Sequence, residues 1–307
     1  MATTTTSTLA SYFTNDTQFR ANSGIATAIQ AVNIIKTSDT GQINWGTVTK
    51  PSASYTSAGY EIFRFNDSLQ STFPVYIRFD YSTSIGANYF GIYITVGTGT
   101  NGAGTLTGNV STTMLVGASN GSDTSYPTNR ASYFSGDTNR LCMALYPNAA
   151  DPTYNWIVFS IERTHDTSGA DTGDGAHIFS SSNLAGGPTA ACQYLPLGTT
   201  TAYLPSMISG GWYCSAPLTG TGALSPDIYT YPIKNYAPYE TLPIFNLVHY
   251  LGTDITASTT VSITGYDGTS RSYYATGLRN AYAGWLAFVG AQTGGVNTGV
   301  GLLMRYD

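Results

Sequence analysis

Five residues with metal-ligating side chains fall within thirteen positions: His165, Asp166, Asp171, Asp174 and His177. Carboxylate oxygens at that density suit a hard cation such as Ca²⁺, and two imidazoles beside them suit a transition metal. The spacing does not follow the EF-hand loop, and the Gly and Thr residues between the acids read equally well as a solvated hairpin tip. The hairpin is the reading we carry forward. The five residues stand as weak ion-site candidates, and no metal or cofactor is expected.

Other motifs point away from catalysis. The run Gly97-Thr98-Gly99-Thr100-Asn101-Gly102 has the G-x-G-x-x-G spacing and follows an apolar segment. A dinucleotide site needs a helix to begin there and aim its backbone N–H groups at phosphate. The sequence continues Ala103-Gly104-Thr105-Leu106-Thr107-Gly108, which is not helical, so a glycine loop between strands is expected. The chain has three His (His165, His177, His249) and three Glu (Glu61, Glu162, Glu240), and no Gly-x-Ser-x-Gly elbow. A glycosidase acid pair drawn from the many Asp is conceivable, but no two stand out. Glu61 with Arg64, and Arg78 with Asp80, read as surface positions or local ion pairs of small worth. Cys142, Cys192 and Cys214 lie far apart, without the C-x-x-C pairs of a zinc site, and read as buried small residues in a reducing compartment. The expectation is a protein that is not an enzyme.

Composition narrows the partners. Only 9% of the 307 residues are charged and the net charge is -5, with the 12 Lys and Arg scattered singly. A nucleic-acid binder needs clustered cations to displace phosphate counterions, so nucleic acid is excluded as an expected partner. No run is apolar enough for a membrane helix. Met1 to Leu9 carries Thr and Ser where a signal peptide has a basic head and an apolar core, so export by that route is not expected. With so few charges the polar surface is built from Thr, Ser, Asn, Gly and Tyr, 24 of them Tyr. Hydroxyls are cheaper to desolvate than charges, and Tyr favours interfaces, so this surface suits contact with neighbouring subunits. The same composition also suits β-strands, since Thr and Tyr are strand formers.

The elements that would position these residues are mostly strands. Val75–Tyr81 alternates apolar positions with Arg78 and Asp80, Ile92, Ile94 and Val96 repeat the period, and Ile157, Phe159 and Ile161 share one face of a strand over 156–163. Val261–Tyr274 reads as a hairpin about Asp267-Gly268, and a last strand covers Val300–Tyr306. One helix is expected near 16–36, capped at Asn15 or Asp16, with Phe19, Ala26, Ile29 and Val32 or Asn33 at helical spacing. Residues 1–10 read as a flexible N-terminal arm and 185–243 as a loop-rich insertion, with a subdivision near 117–127. The fold expected for 11–307 is mainly β, sandwich- or jelly-roll-like, with one N-terminal helix and long loops.

One stretch carries a family likeness. Thr37-Ser38-Asp39-Thr40-Gly41-Gln42-Ile43-Asn44-Trp45 is followed by Gly59-Tyr60-Glu61-Ile62-Phe63-Arg64-Phe65-Asn66-Asp67, Gln70, Pro74-Val75-Tyr76-Ile77-Arg78 and Val96-Gly97-Thr98-Gly99. This pattern, over about residues 10–115, resembles a group of tailed-bacteriophage virion proteins described as structural or tail-associated. The resemblance implies a place in the particle, in the tail or baseplate region or at a fibre attachment, and no catalytic residues. It implies a homo-oligomer docked to other virion proteins, made in the host cytoplasm. Asp39, Gln42 and Trp45 are expected to fasten the preceding helix to the sheet; the alternative is that their loop touches a partner subunit. Two alternatives from other classes remain: a receptor- or glycan-binding fibre tip, with Tyr stacking on a host surface sugar, and a polysaccharide depolymerase. A capsid decoration protein is a further structural variant.

Overall fold

The computed structural model describes residues 3–8, 33–44, 59–81, 89–119, 131–145, 157–184, 187–198, 212–214, 220–222, 229–235, 243–251, 260–265, 267–280, 300–305 and 307. These residues are all-β, built from mainly antiparallel sheets, so the mainly-β expectation holds. No helix among them is long and apolar enough to cross a membrane.

The first sheet takes the first twelve strands in sequence: β1 (Thr3–Thr8), β2 (Ile35–Lys36), β3 (Gly59–Arg64), β4 (Tyr76–Tyr81), β5 (Tyr89–Thr100), β6 (Leu106–Val110), β7 (Met114–Ser119), β8 (Ala131–Asp137), β9 (Arg140–Leu145), β10 (Ile157–His165), β11 (Asp171–Leu184) and β12 (Gly187–Pro196). Their order across the sheet is β1-β8-β9-β10-β11-β7-β5-β4-β3-β2, with β12 beside β11 and β6 beside β5. The second sheet takes β13 (Trp212–Cys214), β14 (Gly220–Gly222), β15 (Tyr229–Asn235), β16 (Pro243–Leu251), β17 (Thr260–Thr264), β18 (Ser270–Asn280) and β19 (Val300–Arg305), in the order β13-β15-β16-β19-β18-β17-β14.

The period-two apolar positions explain how the first sheet folds over on itself. Phe63, Ile77, Phe79, Ile94 and Val96 from one half meet Phe134, Leu141, Met143, Phe159, Ile161 and Ile178 from the other in one buried cluster. Phe79 stands edge-on to Phe63 at 5.6 Å and to Phe159 at 6.2 Å between ring centroids. In the sheet order β4 and β10 are separated by β5, β7 and β11, so the Phe79–Phe159 contact lies across the interior, where the sheet folds over on itself. Such edge-to-face pairs add about 0.5–1.5 kcal/mol beyond the area they bury. Arg163 crosses the same interior, fully buried, to pair with Asp67 and to donate to the Phe73 carbonyl at 2.8 Å.

Several segments differ from the sequence reading. The helix foreseen near 16–36 lies outside the described residues as far as 32. At its foreseen end there is no helix: Asn33 has φ 68°, and Ile35–Lys36 pairs with Phe63 and Arg64 as β2. The left-handed turn at Asn33 stops any helical path, and Ile34 turns into the core. Within the arm foreseen at 1–10, Thr3–Thr8 is strand β1, paired in register with Ala131–Gly136. β-branched Thr in a row suits a pleated edge, which low complexity concealed. Of the insertion foreseen at 185–243, Gly187–Pro196 forms a ten-pair hairpin with β11. The subdivision foreseen near 117–127 does not match a change of sheet, since β7 and β8 both belong to the first; the chain changes sheet between β12 and β13.

Candidate functional site

The five candidate ligands lie on or between two strands, β10 and β11, whose hairpin turn is 166–170. Asp166 is exposed at the tip, and its carboxylate accepts from the Ser168 and Ala170 amides at 2.8 and 3.0 Å and from the Ser168 hydroxyl. It caps the turn, and those bonds hold its pKa below the usual carboxylate range. Asp174 is exposed as well. His177 is buried beside Tyr194, with ring centroids 5.9 Å apart, and burial first and the His165 charge second press its pKa down to about 3. Only His165 and Asp171 come together, Nδ1 to Oδ1 at 3.1 Å, while His165 Nε2 lies 3.7 Å from Glu162 Oε2. The two carboxylates face opposite ring nitrogens, so they do not converge on one point. Among the described residues no three His, Cys, Asp or Glu side chains are placed to share a metal ion, so the five-residue ion cluster does not assemble.

What assembles instead is a polar joint between the two sheets. Strand register lines up Asp137, Arg140, Glu162, His177 and Tyr194 across β8, β9, β10, β11 and β12. This row lies on the face opposite Phe159 and Ile161, and β16 covers its middle. Both Glu162 carboxylate oxygens accept backbone amides of β16, from Phe245 at 2.6 Å and Asn246 at 3.1 Å. Asn246 answers by donating its side-chain amide to Ser160 Oγ at 2.9 Å, to the Ile161 carbonyl at 3.1 Å and to the Leu141 carbonyl at 3.4 Å. Arg140, 4% exposed, reaches the backbone carbonyl of Asp307. Tyr273 donates to the Phe245 carbonyl at 2.8 Å. The directed polar contacts between the sheets run from β9 and β10 to β16 and to Asp307.

Beside the joint is a cavity of about 180 Å³ lined by Arg140, Glu162, His165, Asp171, Arg271 and Arg305, with Asp137, Asn139, Gly169 and Phe245 completing the wall. The Arg271 guanidinium lies 3.6 Å over the Phe245 ring and pairs with Asp267 at 2.6 Å. That pairing draws the Asp267 carboxyl down to about 2. Burial opposes the charge on His165, but Asp171 and Glu162 outweigh it and raise its pKa to about 9. Burial and the charge of Arg305 bring Arg140 down to about 10.

The 37–44 loop builds a second polar knot. Asp39 accepts from Thr37 Oγ1 at 2.7 Å, from Thr100 Oγ1 and from the Gly104 amide at 3.2 Å. Gln42 donates to the Thr37 carbonyl at 2.8 Å and accepts from the Ile62 amide at 2.7 Å. Asp39 and Gln42 thus fasten the 37–44 loop to β3 and to the β5–β6 hairpin; Trp45 lies outside the described residues. The glycine run is that hairpin, with Gly97 and Gly99 paired to β6 and Gly102 at φ 75°. Glu61 is fully buried and pairs with Lys36 at 2.5 Å, so it is neither a surface position nor the partner of Arg64. Arg78 and Asp80 do pair, at 2.5 Å, half-exposed. Of His249, strand register alone is described, opposite Tyr231 and Leu302. Cys142 is buried without a disulfide.

Sequence reasoning found His165 and Asp171 but missed Glu162, Asn246, Arg140 and Arg271 as their companions. Glu162 and Asn246 are 84 positions apart and meet only through sheet packing. Comparison with known protein families, with curated proteins and with solved structures matched none of them to this chain.

Proposed function

We propose that this chain is a structural component of a tailed-phage virion, in the tail, baseplate or fibre attachment region, acting through contacts between subunits. The observation that carries the reading is how the titratable side chains are used. Glu162, Arg140, Asp39, Glu61 and Arg163 each tie one segment of the chain to another. Buried charges held by several directed bonds make a rigid body that resists repacking. A rigid body with few surface charges and open sheet edges is suited to repeated contacts with identical or neighbouring subunits. The edge strand β1 supports this: it ends the order of the first sheet, and its outer backbone row has no strand beside it among the described residues. An open edge offers main-chain hydrogen bonds to another chain. The work is mechanical, with many modest contacts added over copies, and the partners are other copies of this chain and other virion proteins. The test is to label the particle with an antibody against this chain and image it by electron microscopy. Regular labelling on the tail supports the reading, and an unlabelled particle rejects it.

A second reading is favoured by one surface. On the outer face of β3, β4 and β5, Tyr60 stands opposite Asp80 and Asp80 opposite Tyr93, with Tyr76 and Arg78 alongside, all half-exposed. The Arg78 guanidinium lies 4.3 Å over the Tyr60 ring, and the Tyr76 and Tyr93 rings beside this charged pair suit a sugar, which stacks its apolar face and hydrogen-bonds its hydroxyls. This is the receptor-reading alternative. A glycan array with the isolated chain decides it: selective retention of one sugar class supports it, and a blank array removes it.

A further inference from the structure

We propose that the cavity between the two sheets is a binding site for a small oxyanion, a phosphate or a carboxylate. The proposal is independent of where the chain sits in a particle. It rests on hydrogen-bond accounting around the cavity wall. The acceptors that line the cavity have donors: Glu162 takes the Phe245 and Asn246 amides, Asp171 takes Asn139 Nδ2, and Asp137 takes the Thr138 amide. The donors are not all matched. His165 is 8% exposed, and although its ring nitrogens lie within ion-pair distance of two carboxylates, neither N–H is aligned for a hydrogen bond. Arg271 is 7% exposed and its Nε–H has no partner, while its two terminal nitrogens are held by Asp267. Buried N–H groups left without acceptors are costly and rare, so a cavity lined by them calls for an acceptor.

The charged groups of the wall are mixed. Arg140, His165, Arg271 and Arg305 share it with Asp137, Glu162 and Asp171. Arg140 reaches the Asp307 carbonyl, Arg305 pairs with the Asp307 carboxylate at 3.0 Å and Arg271 with Asp267, so what the space lacks is an acceptor for particular donors and not negative charge in general. An oxyanion there gives His165 and Arg271 the acceptor they lack, and guanidinium groups match oxyanion geometry. The volume, about 180 Å³, is well above the roughly 10–15 Å³ of such space that one water needs, so one small anion fits.

The experiment is calorimetric titration of the full chain with inorganic phosphate and, separately, with acetate, in buffer matched for ionic strength with chloride. Proton–nitrogen spectra of the histidine side chains are recorded through each titration. We expect saturable binding of one anion per chain, a shift of the His165 ring signals that tracks saturation, and at least ten-fold weaker binding in both Arg271→Gln and Arg305→Gln. Arg305 is half-exposed, so its variant keeps the test open if Arg271→Gln fails to fold. The stronger of the two anions identifies the class. No saturable binding of either, or binding that both substitutions leave unchanged, overturns the proposal.

Discussion

Removing the Glu162 carboxylate tests the inter-sheet joint at its centre. Glu162 is 1% exposed and accepts two β16 amides through a charged group. Hydrogen bonds to a charged partner contribute about 1.5–3 kcal/mol each. In Glu162→Ala both amides lose their acceptor in a buried interface, and Arg140 and His165 lose a neighbouring negative charge. The expected destabilisation is about 4 kcal/mol, in the range seen when one partner of a buried charged pair is deleted. Glu162→Gln keeps the volume and one acceptor oxygen but turns an NH₂ toward the second amide, so about 2 kcal/mol is expected. The assay is amide hydrogen exchange resolved to single residues. Since 1.4 kcal/mol is a factor of ten, protection at Phe245 and Asn246 should fall about a thousand-fold in Glu162→Ala, while Ile77 and Ile94 in the core of the first sheet change far less. Loss of under 1 kcal/mol, or an equal fall at every amide, would refute the reasoning, because it would mean the two sheets are not joined through Glu162.

Further outcomes follow from the same geometry. Asn246→Leu removes three donated contacts and leaves Ser160 Oγ and two carbonyls dry, so it should cost about 2–3 kcal/mol by urea unfolding. His165 has its pKa raised to about 9 from an ordinary 6.5; its stabilising contribution is therefore complete below pH 6.5 and is lost as pH rises to 9, and His165→Gln should flatten the urea midpoint across that window. Asp267, drawn down to about 2, contributes in the opposite sense: its share is present above pH 3.8 and is lost as pH falls toward 2, a loss that Asp267→Asn should remove from the acid-unfolding curve. Gly104→Ala places a methyl group against the Tyr60 ring at a φ of 95°, whereas Gly102→Ala at φ 75° meets open space; the first should destabilise by about 1–3 kcal/mol more than the second, measured by thermal unfolding.

Much of the scaffold was legible because one face of each strand is apolar. β4, β5 and β10 were visible in their alternation, and the β17–β18 hairpin in its Asp267-Gly268 turn. The same rule misplaced the polar face of β10. Alternation shows that two faces differ, but not that the polar face is wet, and Ser160 and Glu162 are as buried as Phe159 because β16 covers them. β12 was hidden by the turn residues that open it, Gly187 and Pro188, although ten consecutive pairs bind it to β11. The five weak ion-site candidates are scattered for a related reason. Proximity in sequence placed five ligands together, while strand alternation and a hairpin tip sent them to different surroundings. The residues that His165 does meet, Glu162, Asp171 and the Phe245 ring 4.6 Å away, are brought there by register and by sheet packing.

The central claim, that this chain is a fixed part of a particle, is tested most directly by cryo-electron microscopy of the purified virion at a resolution that traces strands. The account predicts the two-sheet body in repeated copies on the tail, with neighbouring subunits against its sheet edges and the Glu162–Asn246 joint intact. Particles with no density for this fold, or copies held only by their first residues with the Tyr60–Tyr93 face directed outward, would contradict it.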